Sequence, residues 1–284
     1  MPAAHVARHQ APPSRRGPIV GVVVVIAVIV VAVIAFFALR SSQTTQNVSD
    51  IGAPAPADVE QAVTHVPAST LAAVGFNSQL VTKFQRLAGQ PLLTSNGKPE
   101  LLYIGAEYCP YCAAERWGLI VALSRFGTFS NLHLMESSST DVYANTPTFT
   151  FYGSHYSSPY LSFVPVELET RTYAPLQKPT TAEQALINRL DAPPYVPSPQ
   201  DDGSIPFVDI GGRYLAIGAS YSPEILDGLS WQTIAASLRD PSTQPAQAID
   251  SLANEFTAAV CTLTHGQPHN VCTSSVIRNL QAQL

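Results

Sequence analysis

Two cysteines separated by two residues, Cys109-Pro110-Tyr111-Cys112, stand out in a chain that holds 4 cysteines among 284 residues. Disulfide exchange needs a thiolate as the attacking species. A free thiol, with a pKa of about 8.5, is mostly protonated at neutral pH, so something must stabilise the anion. The start of a helix does this, because its unpaired N–H groups and its dipole favour negative charge. Apolar residues recur at helical spacing after Pro110, at Trp117, Ile120, Val121, Leu123 and Phe126, which predicts a helix that opens at the motif. Pro110 suits the first turn, where no backbone donor is lost. Two intervening residues bring Cys112 back within bonding distance of Cys109, so a mixed disulfide with a substrate is resolved inside the chain. Half of a zinc site is the competing reading, but no second C-x-x-C exists in the sequence.

The motif must be positioned by what surrounds it. The apolar run 101–104 reads as a buried strand leading into the cysteines, and 132–135 as the next strand, which makes a parallel strand-helix-strand unit. Residues 149–152 and 162–168 are two further strand candidates, expected to form a hairpin. Residues 181–190 read as a helix capped by Thr180 or Thr181, followed by a Pro-rich connection over 191–203. Two antiparallel strands, 205–210 and 214–217, are predicted around the turn Gly211-Gly212. Pro206 would open a central strand at the loss of a ladder hydrogen bond, which asks for a special turn with a cis peptide. Upstream, 57–97 suggests short helices, including 69–74 and 78–87, ending in Ser95-Asn96-Gly97. Downstream, Ser222-Pro223-Glu224 and Ser230 mark helix starts, and 246–263 and 274–284 read as helical.

Charged residues make up only 12% of the chain. Residues 19–39 contain no charge, and at about 1.5 Å per residue they would span roughly 30 Å as a helix, the thickness of a bilayer core. Arg8, Arg15 and Arg16 precede the run and Arg40 follows it, which predicts an uncleaved single-pass anchor with its N-terminus in the cytoplasm. The expected division is a cytoplasmic tail at 1–18, a transmembrane helix at 19–39, a flexible stalk at 40–56 and an extracytoplasmic domain at 57–284 in the cell membrane. That domain is expected to carry an insertion at about 140–200 and a helical tail at about 241–284. All 20 acidic residues lie at or beyond Asp50, against 11 of the 15 basic ones, which excludes nucleic acid as a partner for this portion.

Two stretches carry a resemblance. LLYIGAEYCPYC, 101–112, resembles the strand and active-site loop of the thioredoxin superfamily, and GSIPFVDIGGRY, 203–214, resembles its cis-proline strand and hairpin. GAEYCPYCAAERWGLIVALSRFG, 105–127, is similar to an uncharacterised membrane-anchored thioredoxin-like family of archaea and actinobacteria, a similarity that extends over most of the outer portion. The resemblance implies an α/β fold: a thioredoxin-like sandwich with helical N- and C-terminal additions and one N-terminal transmembrane helix. It implies a protein disulfide oxidoreductase with Cys109 and Cys112 as catalytic residues, and substrate contact at Pro110, Tyr111, Ile205 and Pro206. Protein thiol and disulfide clients and a membrane redox partner are the expected partners, and neither a cofactor nor a resident metal is expected. Thioredoxins place a buried acid six residues before the first cysteine, where this chain has Tyr103, so Glu107 and Glu115 become the candidates for proton transfer.

Cys261 and Cys272 would close a ring of about a dozen residues, worth about 3 kcal/mol as a structural disulfide. With His265 and His269 they also offer a zinc-like donor set. His133 and His155 could join the first pair to hold copper, which keeps a copper or haem-maturation carrier open beside a redox-inactive thioredoxin-like adaptor. Tyr156, Tyr160 and Phe163 read as packing more readily than as a peptide groove.

Overall fold

The computed structural model describes residues 50–198 and 203–284, all within the compact unit Val48–Leu284. Helices α1 (Ala57–Thr64) and α2 (Ala68–Val74) open the domain. A six-stranded sheet follows, centred on β3 (Lys98–Gly105). The short strands β1 (Gln85–Arg86) and β2 (Thr94–Ser95) precede it. Asn96 and Gly97 both have positive φ, 52° and 74°, the backbone of a two-residue hairpin turn that sets Ser95 opposite Lys98.

From β3 the chain enters α3 (Pro110–Leu123). It then passes through two small antiparallel pairs, β4 (Thr128–Ser130) with β7 (His155–Ser157), and β5 (His133–Glu136) with β6 (Pro147–Thr150). It returns to the main sheet as β8 (Ser162–Glu167), parallel to β3 with Leu101 opposite Phe163. Helix α4 (Thr181–Leu190) starts with a capping box between Thr180 and Glu183. Strands β9 (Phe207–Ile210) and β10 (Tyr214–Ile217) complete the order β1-β10-β9-β3, all antiparallel neighbours. The turn between them uses Gly211 and Gly212 at positive φ, and a side chain at Gly212 would strike the Pro91 carbonyl oxygen.

The continuous apolar run of β3 is explained by burial on both faces. Leu101 and Tyr103 enter the larger core, beneath the helices, whereas Leu102 and Ile104 enter a smaller one with Val166, Leu190, Phe207 and Leu215. The larger core is completed by α5 (Trp231–Ser237), α6 (Gln244–Leu263) and the short α7 (His269–Cys272) and α8 (Ser275–Gln281). Gly118 lets α3 approach α6 closely: a Cβ there would lie 2.6 Å from Leu252 Cδ2.

Several expectations are corrected. The expected thioredoxin-like sandwich borne on a transmembrane helix gives way to a mixed α/β fold, with eight helices and a multi-strand sheet among the described residues. None of these helices is long and apolar enough to cross a membrane. The longest, α6, has 20 residues, but Asp250, Asn254 and Glu255 interrupt its apolar surface. The single-pass cell-membrane placement with an extracytoplasmic domain is therefore withdrawn. The 19–39 run, with the tail at 1–18 and most of the stalk, lies outside the described residues.

The parallel partner of β3 is β8, not 132–135, which pairs with β6 instead, so 149–152 and 162–168 form no hairpin. Residues 78–87 have helical spacing but no helix. Their backbone is satisfied from outside: the Thr82 N–H donates to the Ser220 carbonyl at 2.8 Å and the Phe84 N–H to Glu255 Oε1 at 3.0 Å. Elements 69–74, 181–190, 214–217 and 246–263 fall within a residue or two of their expected bounds.

Candidate active site

Cys109 is the N-cap residue of α3, with extended backbone, and its Sγ accepts a hydrogen bond from the Cys112 N–H at 3.3 Å. Its thiol lies 3.8 Å from the carbonyl oxygen of Ile205, and the Ile205–Pro206 peptide is cis. Two motifs nearly a hundred residues apart thus meet at one sulfur. Both thiols are free and buried; Cys109 keeps 4% of its surface open, Cys112 none.

Their environments push the two thiols apart. A hydrogen bond from the Cys112 thiol lowers the pKa of Cys109 despite burial, aided by the Cys112 and Tyr111 N–H groups and the positive charge of Arg116. Burial raises Cys112, and its bond to Cys109 raises it further. The two thiols are thus unequal, Cys109 the more acidic and Cys112 the less.

The start of α3 is held by its neighbours rather than by its own cap alone. Thr148 Oγ1 donates to the Ala113 carbonyl at 2.8 Å, Tyr221 Oη to the Ala114 carbonyl at 2.7 Å, and Trp117 Nε1 to the Pro147 carbonyl at 2.8 Å. Pro110 occupies the first helical position and is buried, while Tyr111 is 40% exposed. Tyr111 meets Tyr143 edge-on, and Tyr108 packs on Tyr173 with ring centroids 4.5 Å apart. Tyr143 and Tyr173 both have positive φ, 50° and 63°, rare for bulky residues.

One turn beyond Cys112 lies a fully buried ion pair absent from the sequence-based reading. Arg116 Nε and Nη2 donate to the two carboxylate oxygens of Glu167 at 2.9 and 2.6 Å, and Nη2 also donates to the Ala106 carbonyl at 2.8 Å. The guanidinium sits over the Tyr103 ring, 5.8 Å from its centroid. A signal was present: Glu115 and Arg116 are the two charges in an otherwise apolar helix, and Glu167 ends an apolar strand run. What the sequence does not carry is that the two meet.

The two candidate proton carriers go different ways. Glu107 is buried beside this pair, accepts from Thr150 Oγ1 at 2.7 Å, and has its pKa raised, chiefly by burial. Glu115 is fully buried and turned toward Ser220, whose N–H and Oγ both donate to it at 2.9 Å. Burial pushes its pKa up to about 7 against those two bonds.

Cys261 and Cys272 are joined in a disulfide with Cα atoms 5.5 Å apart, linking α6 to α7, so their sulfurs are not available as zinc ligands. His133 lies on β5 and His155 on β7, and no group of three metal-binding side chains converges among the described residues. Tyr156 and Phe163 pack with Phe129 and Phe151, as expected of packing residues. A cavity of about 750 Å³ lies at the other end of β3, beside Lys98 and Pro99, away from the cysteines.

The sequence model of the family described as Domain of unknown function (DUF929) matches residues 84–200 and 202–262, more than half of the chain. The chain belongs to the DUF929 family. The DUF929 match takes in both cysteines of the motif, Arg116, Glu167 and the Ile205–Pro206 peptide, and stops short of Cys272. No curated protein and no solved structure matches the chain.

Proposed function

We propose that this DUF929 chain is a thiol-disulfide oxidoreductase acting on protein disulfides through Cys109 and Cys112. The observation that carries the reading is the state of Cys109: a helix N-cap sulfur that receives the Cys112 N–H and lies beside the carbonyl that precedes a cis proline. Kinship with the thioredoxin superfamily is part of the same proposal. It is supported by the strand-helix-strand unit β3-α3-β8 with antiparallel β9 and β10 on the other side.

In the forward direction the Cys109 thiolate attacks a client disulfide, and one client sulfur leaves as a thiolate that takes up a proton. Cys112 then loses its proton and attacks Cys109, the second client sulfur leaves, and the chain holds the Cys109–Cys112 disulfide while the client has gained two electrons. The Ile205 backbone, whose carbonyl oxygen lies 3.8 Å from the Cys109 sulfur, orients the client chain in this reading. Tyr111, Tyr143 and Tyr173 offer an aromatic rim for its side chains.

The test is insulin reduction by the purified full chain with dithiothreitol. Cys109→Ser is expected to abolish turnover, and Cys112→Ser to accumulate the mixed disulfide. Undiminished turnover by Cys109→Ser would overturn the assignment. A metal-carrier reading lacks a third ligand among the described residues, and the adaptor reading predicts no turnover in the unsubstituted chain.

A further inference from the structure

A guanidinium with no exposed surface is expensive to bury, and its donors are normally all engaged. Arg116 departs from this. Nε and Nη2 are taken up by Glu167 and Ala106, but Nη1 has no hydrogen-bond partner. The hydroxyl of Tyr103, whose ring lies under the same guanidinium, has none either. An ion pair kept only for stability would be replaceable by apolar residues at little loss. Two unsatisfied donors beside a thiol pair suggest that the charge serves those thiols.

Position supports the same conclusion. Arg116 follows Cys112 by four residues on α3, which places both side chains on one face, one turn apart. The Ala106 peptide lies between them: its carbonyl accepts from Arg116 Nη2 at 2.8 Å and from the Cys109 N–H at 3.3 Å. The other ionisable groups around the sulfurs and Arg116 are the Tyr103 phenol on β3 and Tyr108 before the motif, which face the sulfurs, and Glu107 and Glu167, which face Arg116. None of these supplies positive charge.

We propose that Arg116, oriented by Glu167 and seated on Tyr103, is the positioning residue that holds negative charge on the cysteine pair, above all on Cys112 in the resolving step. Cys112 must then give up its proton in a site closed to water. The guanidinium supplies the opposite charge as the thiolate forms, and the proton released neutralises the departing client sulfur. This rests on the oxidoreductase reading, and the experiment separates the two.

The full chain is compared with Arg116→Lys and with the double variant Arg116→Met/Glu167→Leu, which removes both charges together. Two quantities are read: the 240 nm thiolate absorbance of the reduced protein against pH, and the dithiol-disulfide equilibrium in dithiothreitol buffer. In the double variant the thiolate is expected to form at higher pH. Because the reduced form loses its charge stabilisation, the equilibrium should favour the disulfide at least tenfold more, about 30 mV. Arg116→Lys should retain most of the original behaviour. Should the apolar pair fail to fold, Arg116→Gln/Glu167→Gln is read in the same way. A folded double variant that titrates and equilibrates as the original chain does would overturn the proposal. An original chain that does not cycle overturns the oxidoreductase reading instead, while the thiolate titration still reports on Arg116.

Discussion

Glu115 and Arg116 are neighbours in sequence and both fully buried, yet they belong to two different electrostatic regimes on different faces of α3. Toward the sheet, Arg116 is matched by a carboxylate in a two-pronged ion pair; burial opposes its charge, but Glu167, Tyr103 and Cys112 together raise its pKa. Toward α6, Glu115 is met only by a hydroxyl and one backbone N–H. Close by, burial lifts Asp250 to about 8 and Glu255 to about 7. Both Asp250 carboxylate oxygens and Glu255 Oε2 lack a hydrogen-bond partner. Arg125, the cation nearest Asp250, spends Nη1 on Asn254 and Thr257. The difference separates a fixed charge beside the cysteines from acids on the far side that change charge near neutral pH.

The largest effect should come from splitting the matched side. Glu167→Leu leaves the Arg116 charge buried without its partner and is expected to cost about 3–5 kcal/mol in urea denaturation. Removing both charges should recover most of that. If the single and double variants lose the same amount, the pair is not the matched unit described above.

Next in size is the covalent link on the α6 side. The Cys261–Cys272 disulfide closes a loop with a sequence separation of 11. Replacing both by Ser should cost about 3 kcal/mol on the loop-closure argument. It should leave the thiolate titration of Cys109 unchanged, because the groups that set that titration are Cys112, Tyr111 and Arg116, and none lies on the bridged helices. A shift in that titration would show the two sides of α3 to be coupled.

How far these features are legible in the sequence follows the same division. The cysteine motif, the Thr180 cap, the Gly211-Gly212 turn and the unusual Pro206 are local, and each was recognisable from a few consecutive residues. The neighbour of β3 was not. Residues 132–135 and 162–167 are both short apolar runs, and periodicity does not say which of two runs docks on a third; the interposed pairs β4–β7 and β5–β6 decide it. Nor did sequence place Glu167 against Arg116, 51 positions away. Nor does anything near Glu115 in sequence reveal that Ser220 and α6 close over it.

A smaller effect separates the two sides by pH. Carboxyls whose folded pKa is raised bind protons more tightly in the folded state, so each costs stability as pH climbs from its unfolded value near 4 through its folded value. For Glu115, Glu255 and Asp250 the loss runs from about pH 4 and is complete above about 8, given folded values of about 7, 7 and 8. The chain should therefore unfold at lower urea concentration at pH 8.5 than at pH 5.5. Asp250→Asn should remove part of that fall, on the order of 2 kcal/mol. A flat profile between these two pH values would contradict the assignment of unmatched acids to the α6 side.

The smallest effect tests whether the two sides are mechanically independent. Gly118 stands one turn after Glu115, against α6, and a methyl group there would meet Leu252 Cδ2 at 2.6 Å and Cγ at 2.8 Å. Overpacking of this kind costs about 1–3 kcal/mol, toward the low end when the obstacle is the end of a flexible side chain. Ala in place of a mid-helix Gly returns about 1 kcal/mol through backbone entropy. Gly118→Ala should thus be destabilised by no more than about 1 kcal/mol. The reduction equilibrium of Cys109 and Cys112 should stay unchanged, since the strain falls on the side of α3 that does not face Arg116. A variant of near-normal stability whose potential moves by tenfold or more would mean that the position of α6 sets the charge environment of the cysteines, and that the two sides of the helix act as one.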